Sequence, residues 1–350
     1  MDLYGLRTRD ASSVVTLDTS VTPIRSLKML QVVGNGTFEQ NISIPEIQAQ
    51  SFVVVDALTD RGANTYSPAA WYSPGTLKLR QPGTATWQVM ILSQGGEPFA
   101  SSGSYGIRTR NNNIATQIDS INNTLSIRYS GAFNLLVAGG GGAPDIVGDV
   151  YNAWPAPITT YERPLIFLNG TDYMMVGNFR VIGSPGNWTG FTVSNRAHPN
   201  HGSIWTQPMR IKWFCASYQA DTSPIGQYGV SVKDANSNRL FASTMNIALL
   251  NNQPTANAFV TAGAPITGTG YYASSQQMAW TGNWADYVLA NALFSVTNVV
   301  QTTQPYRVNF GGFLPGNRGT LQMYCENFDG INAVLANGRT TFAARPMRPI

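Results

Sequence analysis

Short runs of alternating apolar and polar residues, separated by Gly, Pro, Asn and Ser, recur along the chain. Residues 51–58, 76–80, 86–92, 164–168 and 210–217 are predicted strands, and residues 76–80 show the alternation throughout. A period of two places successive side chains on opposite faces of an extended strand. Many short strands with turn residues between them are typical of antiparallel sandwiches and barrels. The pattern therefore predicts a mainly β protein, in which only residues 284–293 compete as a helix.

The opening segment of the chain returns near residue 228. Tyr4-Gly-Leu-Arg-Thr-Arg-Asp-Ala-Ser-Ser recurs without gaps as Tyr228-Gly-Val-Ser-Val-Lys-Asp-Ala-Asn-Ser. The first half of each copy alternates like a strand, and Asp and Ser side chains close tight turns by bonding their own backbone. Because a return strand follows, each copy predicts a β-hairpin.

The repeat divides the chain into two related antiparallel β-sandwich-like modules, at residues 1–220 and 226–350. The first module is predicted to end with a strand near residue 217. Within it, the Gly-rich and Pro-rich stretch at 138–158 predicts a long loop. Composition leaves open whether this loop is a domain boundary.

The hairpin motif resembles the opening of small β-domain proteins encoded among tail-tip and tail-fibre genes of tailed bacteriophages. It stands here as Tyr4-Gly-Leu with Asp10-Ala and as Tyr228-Gly-Val with Asp234-Ala. The family often has Gly in the turn where this chain has Ser13 and Ser237. The resemblance implies a virion protein of the tail tip or tail fibre that forms a homotrimer. It implies other tail proteins as partners and no catalytic residues.

Charged residues are scarce, at 11% of the chain, against about 25% in typical soluble domains. Asn, Gln, Ser, Thr and Gly replace them, and neutral polar groups lose less than charges when a subunit contact buries them. The net charge of +4 comes mostly from scattered arginines, which predicts no nucleic-acid binding. The sequence predicts neither a signal peptide nor a membrane span. We therefore expect the protein to be made in the cytoplasm of the bacterial host.

Aromatic residues cluster in segments rich in Gly, Ser and Pro, where loops are expected. The clusters are Trp71 with Tyr72, Tyr271 with Tyr272, and Trp280 with Trp284. Exposed rings among amides and hydroxyls would stack on sugars, so these six residues are the candidate site for a host-surface glycan or a partner. The alternative is that they pack between strands or between subunits.

His198 and His201 are weak candidates for a metal site, since two imidazoles near a symmetry axis could share a transition metal. No Cys, Asp or Glu lies beside them, so no metal and no other cofactor is predicted. Cys215 and Cys325 lie in apolar segments without a CxxC motif, which predicts buried free thiols.

A glycosidase would need two carboxyl groups about 5–10 Å apart. The pairs close in sequence are Asp56/Asp60, Asp145/Asp149 and Glu326/Asp329, and none lies in a supporting motif. GxSxG, HExxH and phosphate-loop motifs do not occur. The sequence therefore predicts a structural protein and not an enzyme. The competing hypotheses are a carbohydrate-binding receptor-recognition module, a polysaccharide-cleaving enzyme and a capsid decoration protein.

Overall fold

The computed structural model describes residues 7–9, 13, 15–18, 21–37, 39–58, 69–80, 83–95, 106–111, 114–135, 147–195, 209–219, 229–251, 255–258, 272–294, 296–297, 307–327 and 339–350. Within them the chain is mainly β and its sheets are antiparallel, which confirms the predicted β-sandwich-like class. No helix in these ranges is both long and apolar enough to span a membrane.

The strands fall into three consecutive units, each made of a hairpin followed by a sandwich. Unit 1 contains β1 (Arg7–Arg9), β2 (Val15–Asp18), β3 (Thr22–Pro23), β4 (Ser26–Val33), β5 (Glu39–Ser43), β6 (Ser51–Ala57), β7 (Ala69–Ser73), β8 (Thr76–Arg80) and β9 (Thr86–Ser93). Unit 2 contains β10 (Gly106–Asn111), β11 (Ile114–Asp119), β12 (Ser126–Leu135), β13 (Val147–Ile158), β14 (Leu165–Gly170), β15 (Met174–Ser184), β16 (Asn187–Asn195) and β17 (Met209–Ser217).

Unit 3 has the same plan with small insertions. It contains β18 (Ser231–Lys233), β19 (Arg239–Ala242), β20 (Ala248–Leu250), β21 (Thr255–Ala258), β22 (Tyr272–Ala279), β23 (Tyr287–Leu289), the helical turn α1 (Ala290–Leu293), β24 (Val296–Thr297), β25 (Arg307–Leu314), β26 (Asn317–Asn327), β27 (Arg339–Thr341) and β28 (Ala343–Pro346). The predicted helical candidate at 284–293 is therefore part strand and part helical turn.

The sandwich strands pair in the same order in all three units. One sheet of each unit is β4-β9-β6, β12-β17-β14 or β20-β28-β23. The other sheet is β5-β8-β7, β13-β16-β15 or β22-β26-β25. Each unit is thus a two-sheet sandwich of one topology. The predicted module 1–220 contains two of these units, and the predicted module 226–350 contains the third.

The repeated motif forms two hairpins with the same register, which confirms the prediction of paired hairpins. The first pairs Arg7 with Asp18, Thr8 with Leu17 and Arg9 with Val15. The other pairs Ser231 with Ala242, Val232 with Phe241 and Lys233 with Arg239. Every partner in the later hairpin lies 224 positions after its counterpart (231 − 7 = 224), and both hairpins have a β-bulge before the last pair.

The hairpin turns hold two serines in a backbone conformation that favours glycine. Ser13 has φ 62° and Ser237 has φ 66°, so both lie in the left-handed region that disfavours side chains with a Cβ. Asp234 stabilises its turn, because its Oδ1 accepts the N–H groups of Asn236 and Asn238 at 2.8 Å each.

A third hairpin, β10 with β11, was not predicted as a repeat. Its sequence, Tyr105-Gly-Ile-Arg-Thr-Arg-Asn-Asn-Asn-Ile-Ala-Thr-Gln-Ile-Asp119, aligns without gaps on residues 4–18, with Tyr, Gly, Arg, Thr, Arg and Asp identical. Its register differs from that of the other two hairpins, because Asp119 pairs with Gly106, whereas the aligned Asp18 pairs with Arg7. All three units therefore open with the same kind of hairpin.

Three equivalent backbone positions close a ring at the centre of the molecule. The N–H of Ile24 donates to the carbonyl of Ala248 (3.0 Å), Ala248 donates to Leu125 (2.9 Å), and Leu125 donates to Ile24 (2.8 Å). The flanking pairs are cyclic as well: Arg25 with Thr124, Ser126 with Ile247 and Leu249 with Pro23. Because each unit contacts the next in the same way, the three units surround a local threefold axis.

A hydrophobic core surrounds this ring and takes residues from every unit. Each unit contributes its ring residue and two alternate residues of β6, β14 or β23. Each also contributes two residues of β9, of β17 or of the segment 342–344. The set is Ile24, Phe52, Val54, Met90 and Leu92, then Leu125, Leu165, Phe167, Phe214 and Ala216, then Ala248, Tyr287, Leu289, Phe342 and Ala344, joined by Tyr218. We call this set the central core. Unit 1 has its own interior core, whereas units 2 and 3 share one to which Leu58 of unit 1 adds.

Packing on both faces explains why some strands lack alternation. All of β14 is buried. Its Leu165 and Phe167 face the central core, while Ile166 and Leu168 face the interior core of units 2 and 3. A strand covered on both faces has no solvent side on which to place polar residues.

Units 2 and 3 are joined edge to edge, and their strands form two seven-stranded sheets. β14 pairs with β23, and β15 pairs with β25, both antiparallel. One of these sheets also takes up β3 of unit 1. The described sheets therefore continue across the boundary predicted near residue 220.

The predicted loop at 138–158 is partly strand, because β13 begins at Val147. β13 is an edge strand with a register shift between Ala153 and Ile158, which accommodates Pro155 and Pro157. Residues 138–146 lie outside the described ranges. The buried, free thiol predicted for Cys215 is confirmed, and the side chain of Cys325 is not among those described.

Candidate functional site

The aromatic residues predicted to form a binding site do not share one surface. Tyr72, on β7, packs between the central core and the core of unit 1. Burial raises the pKa of Tyr72, although hydrogen bonding with Thr340 and the Val53 backbone opposes the shift. Trp71 is partly buried. Tyr271 and the side chain of Tyr272 lie outside the described residues.

Trp280 and Trp284 flank the turn between β22 and β23 but have different environments. Trp280 is buried and packs on Phe313, with ring centroids 5.7 Å apart. Trp284 is 47% exposed. Among the described members of the predicted set, Trp284 is therefore the most exposed.

A buried arginine supports the inner side of the Trp284 ring. The Arg318 guanidinium lies 5.2 Å from the Trp284 ring centroid and 4.0 Å from that of Phe313. Such cation–π geometry attracts the guanidinium to the ring face. Burial lowers the pKa of Arg318 to about 10, while Asp286 and Tyr287 act to raise it. The ring is thus packed on one side and open on the other.

Hydrogen bonds hold this arrangement across the junction of units 2 and 3. Arg318 donates to the side-chain oxygen of Asn169, to the Asp286 carbonyl (2.9 Å) and to the Gly170 carbonyl (3.3 Å). Asn169 in turn donates to the Trp284 carbonyl at 2.7 Å. Asn169 and Gly170 belong to β14 of unit 2, so the position of Trp284 depends on both units.

Asp286 fixes the other end of the turn. Its carboxylate is fully buried and accepts the Asn251 amide at 2.7 Å on both oxygens, together with the Thr281 hydroxyl. The Arg345 Nε lies 3.6 Å away. These contacts make residues 281–286 a fixed platform for one exposed ring. The sequence indicates the tryptophan but not the residues that support it, because Asn169 and Arg318 lie on strands distant in sequence.

The remaining predicted chemistry does not assemble in the described part of the chain. His198 and His201 lie outside it, and within it no group of three or more His, Cys, Asp or Glu could hold a metal ion. Asp56 faces Arg163 at 3.2 Å. Asp60, its predicted carboxylate partner, is not described.

The hairpins carry a second group of exposed residues. The basic residues Arg7, Arg9 and Lys233 are exposed, as are Ser13 and residues 235–238 of the turns. The hairpins of units 2 and 3 pack in one hydrophobic cluster that includes Ile118 and Phe241. Val21 of unit 1 packs against this cluster.

Comparisons of the chain with protein-family models, with characterised proteins and with solved structures gave no match.

Proposed function

We propose that the chain is a structural protein of a bacteriophage tail, located in the tip or the fibre, that works by assembly and surface contact. The observation that supports the proposal is the closed ring of Ile24, Leu125 and Ala248, around which three units with tail-protein-like hairpins are arranged. Threefold organisation suits a component of an axial virion structure.

The organisation of the molecule also favours a scaffold. Three sandwiches share a central core, and the sheets of units 2 and 3 are continuous. The few charges and many amides suit surfaces that are covered in an assembly. We therefore propose that the chain is a permanent component of the virion.

The test is to locate the chain in purified phage particles. Particles would be labelled with a gold-conjugated antibody against the chain, viewed by electron microscopy, and their proteins identified by mass spectrometry. Label at the tail tip or fibre is the expected result. Label on heads would instead identify a capsid decoration protein, and absence from particles would overturn the proposal.

Carbohydrate binding is the second candidate, and the Trp284 platform is the observation that favours it. A flat ring held rigid by Arg318 and Asn169 could stack on a sugar ring. Glycan-array binding should fall about tenfold in Trp284→Ala, which corresponds to about 1.4 kcal/mol. Tyr161→Ala is the matched control, because Tyr161 is exposed (57%) outside the platform. Equal binding by both variants would exclude the platform as the glycan site.

A further inference from the structure

The backbone ring of Ile24, Leu125 and Ala248 indicates how many copies of the chain an assembly would contain. We propose that the chain is a monomer that binds a homotrimeric protein as a single copy on the threefold axis of that protein, each unit contacting one subunit. The inference rests on the proposed function, since the homotrimer is taken to be a tail protein. It replaces the expected homotrimer of this chain with a threefold arrangement inside one chain.

Saturation of the ring is the first argument. At positions 24, 125 and 248, each backbone N–H and carbonyl is bonded to another unit of the same chain. The flanking bridges repeat in the same direction around the axis. No described ring position is left for a second copy to pair with. The contacts that a homotrimer of single units would make between chains are therefore made within this chain.

The hairpins identify the face that would meet the partner. Each hairpin strand ends six residues before its ring residue (24 − 18, 125 − 119 and 248 − 242). Elements related by rotation lie at the same height along the axis, so the three hairpins emerge at one end of it. The shared hydrophobic cluster of the hairpins of units 2 and 3 with Val21 agrees with this placement.

Charge gives the chemistry of that face. One position in the first hairpin strand is basic in all three units: Arg9, Arg110 and Lys233 (9 + 101 = 110 and 9 + 224 = 233). Arg9 and Lys233 are exposed. Asp234, the neighbouring acid of unit 3, is engaged in its own turn. A basic residue at this aligned position of each unit suits a homotrimer that presents one carboxylate per subunit.

Native mass is the first test. Light scattering coupled to size exclusion should give one chain, 37.9 kDa, across a wide concentration range. A stable trimer of the chain, about threefold heavier, would overturn the inference and leave the proposed function standing.

The second test counts copies in purified particles by quantitative mass spectrometry against a trimeric tail protein. One copy per three partner subunits is expected, and three copies per trimer would overturn the inference alone. Complete absence from particles would overturn the proposed function and the inference with it.

A charge reversal tests the face. The triple variant Arg9→Glu, Arg110→Glu, Lys233→Glu should lower incorporation into particles at least tenfold. The matched control, Arg180→Glu, Arg210→Glu, Lys212→Glu, changes the net charge equally at exposed positions of unit 2 away from the hairpins. Equal incorporation of both variants, each shown to be folded by circular dichroism, would assign the contact to another face.

Discussion

Buried charges connect the units at the level of single residues. Asp119 of unit 2 is fully buried and accepts bonds from Arg25 of unit 1 (2.8 Å), from Gln117 (2.7 Å) and from the backbone of Asn122 (2.6 Å). A buried carboxylate is tolerated only when its lone pairs are satisfied in this way. The pair therefore fixes which units lie next to each other in the ring.

Arg25→Met is predicted to lower the free energy of unfolding by about 3–5 kcal/mol, because it leaves the Asp119 charge buried without its cation. Urea denaturation measures the loss. Lys78→Met is the control, since its pair with Glu39 (3.3 Å) is largely exposed and such pairs contribute about 0–1 kcal/mol. Similar losses in both variants would contradict the structural role of the buried pair.

Glu162 is predicted to make stability fall as pH rises. Burial raises its pKa above the ordinary value of 4.5. Between the unfolded and folded pKa values the native state holds more protons, so unfolding becomes easier with increasing pH in that window. Its charge also helps raise the pKa of buried Tyr218.

In Glu162→Gln the fall in stability with rising pH should disappear. The melting temperature of the variant, measured relative to that of the wild type, should therefore increase from pH 4 upward. A difference that is constant with pH would show that Glu162 is not the titrating group. Glu46→Gln is the control, because hydrogen bonding to Lys28 lowers the pKa of Glu46 and gives the opposite trend.

The elements show where sequence reasoning succeeded and where it failed. Residues 76–80 are predicted and observed as β8, because its apolar residues Leu77 and Leu79 are buried and Thr76 and Lys78 are less so. The hairpin of β18 and β19 was predicted from Asp234 and Ser237, whose local bonds set the turn. The related hairpin of β10 and β11 was missed as a repeat, since Asn111 replaces the Asp of the motif. The Trp284 platform was only partly predictable, because Arg318 and Asn169 meet it through long-range pairing.

The left-handed serines give a prediction for the hairpin turns. Ser237→Gly should stabilise the protein by about 1 kcal/mol, because glycine adopts positive φ without the clash of a Cβ. Ser237→Val should destabilise it. Asn236→Gly is the control in the same turn, at a residue without positive φ, and should give no gain. A loss of stability in Ser237→Gly, measured by urea denaturation, would contradict this account of the turn.

At the scale of the whole molecule, the central core makes the three units depend on one another. Phe342 of unit 3 packs on Phe52 of unit 1, with ring centroids 4.9 Å apart, and on Phe167 of unit 2 at 5.7 Å. Side chains shared in this way favour a single cooperative transition over separate unfolding of each sandwich.

Phe342→Ala is predicted to lower stability by about 3–5 kcal/mol, as large core aromatics do when they are truncated. Tryptophan fluorescence and far-ultraviolet circular dichroism should still give coincident transitions. Leu79→Ala, in the core of unit 1, is the control for a change inside one sandwich. Two separated transitions in either variant would mean that the units unfold independently.

The edge pairing of β14 with β23 and of β15 with β25 has a consequence for imaging. Units 2 and 3 share seven-stranded sheets, whereas the sandwich of unit 1 keeps its own three-stranded sheets. The ring is therefore threefold, but the sandwiches around it are not equivalent. Such a molecule could bind on a threefold axis in three orientations, which are related by rotation about that axis. A reconstruction with imposed symmetry would average unit 1 with its neighbours and show a false ring of identical lobes. Only reconstruction without symmetry, with particles sorted by azimuth, would reveal the single chain.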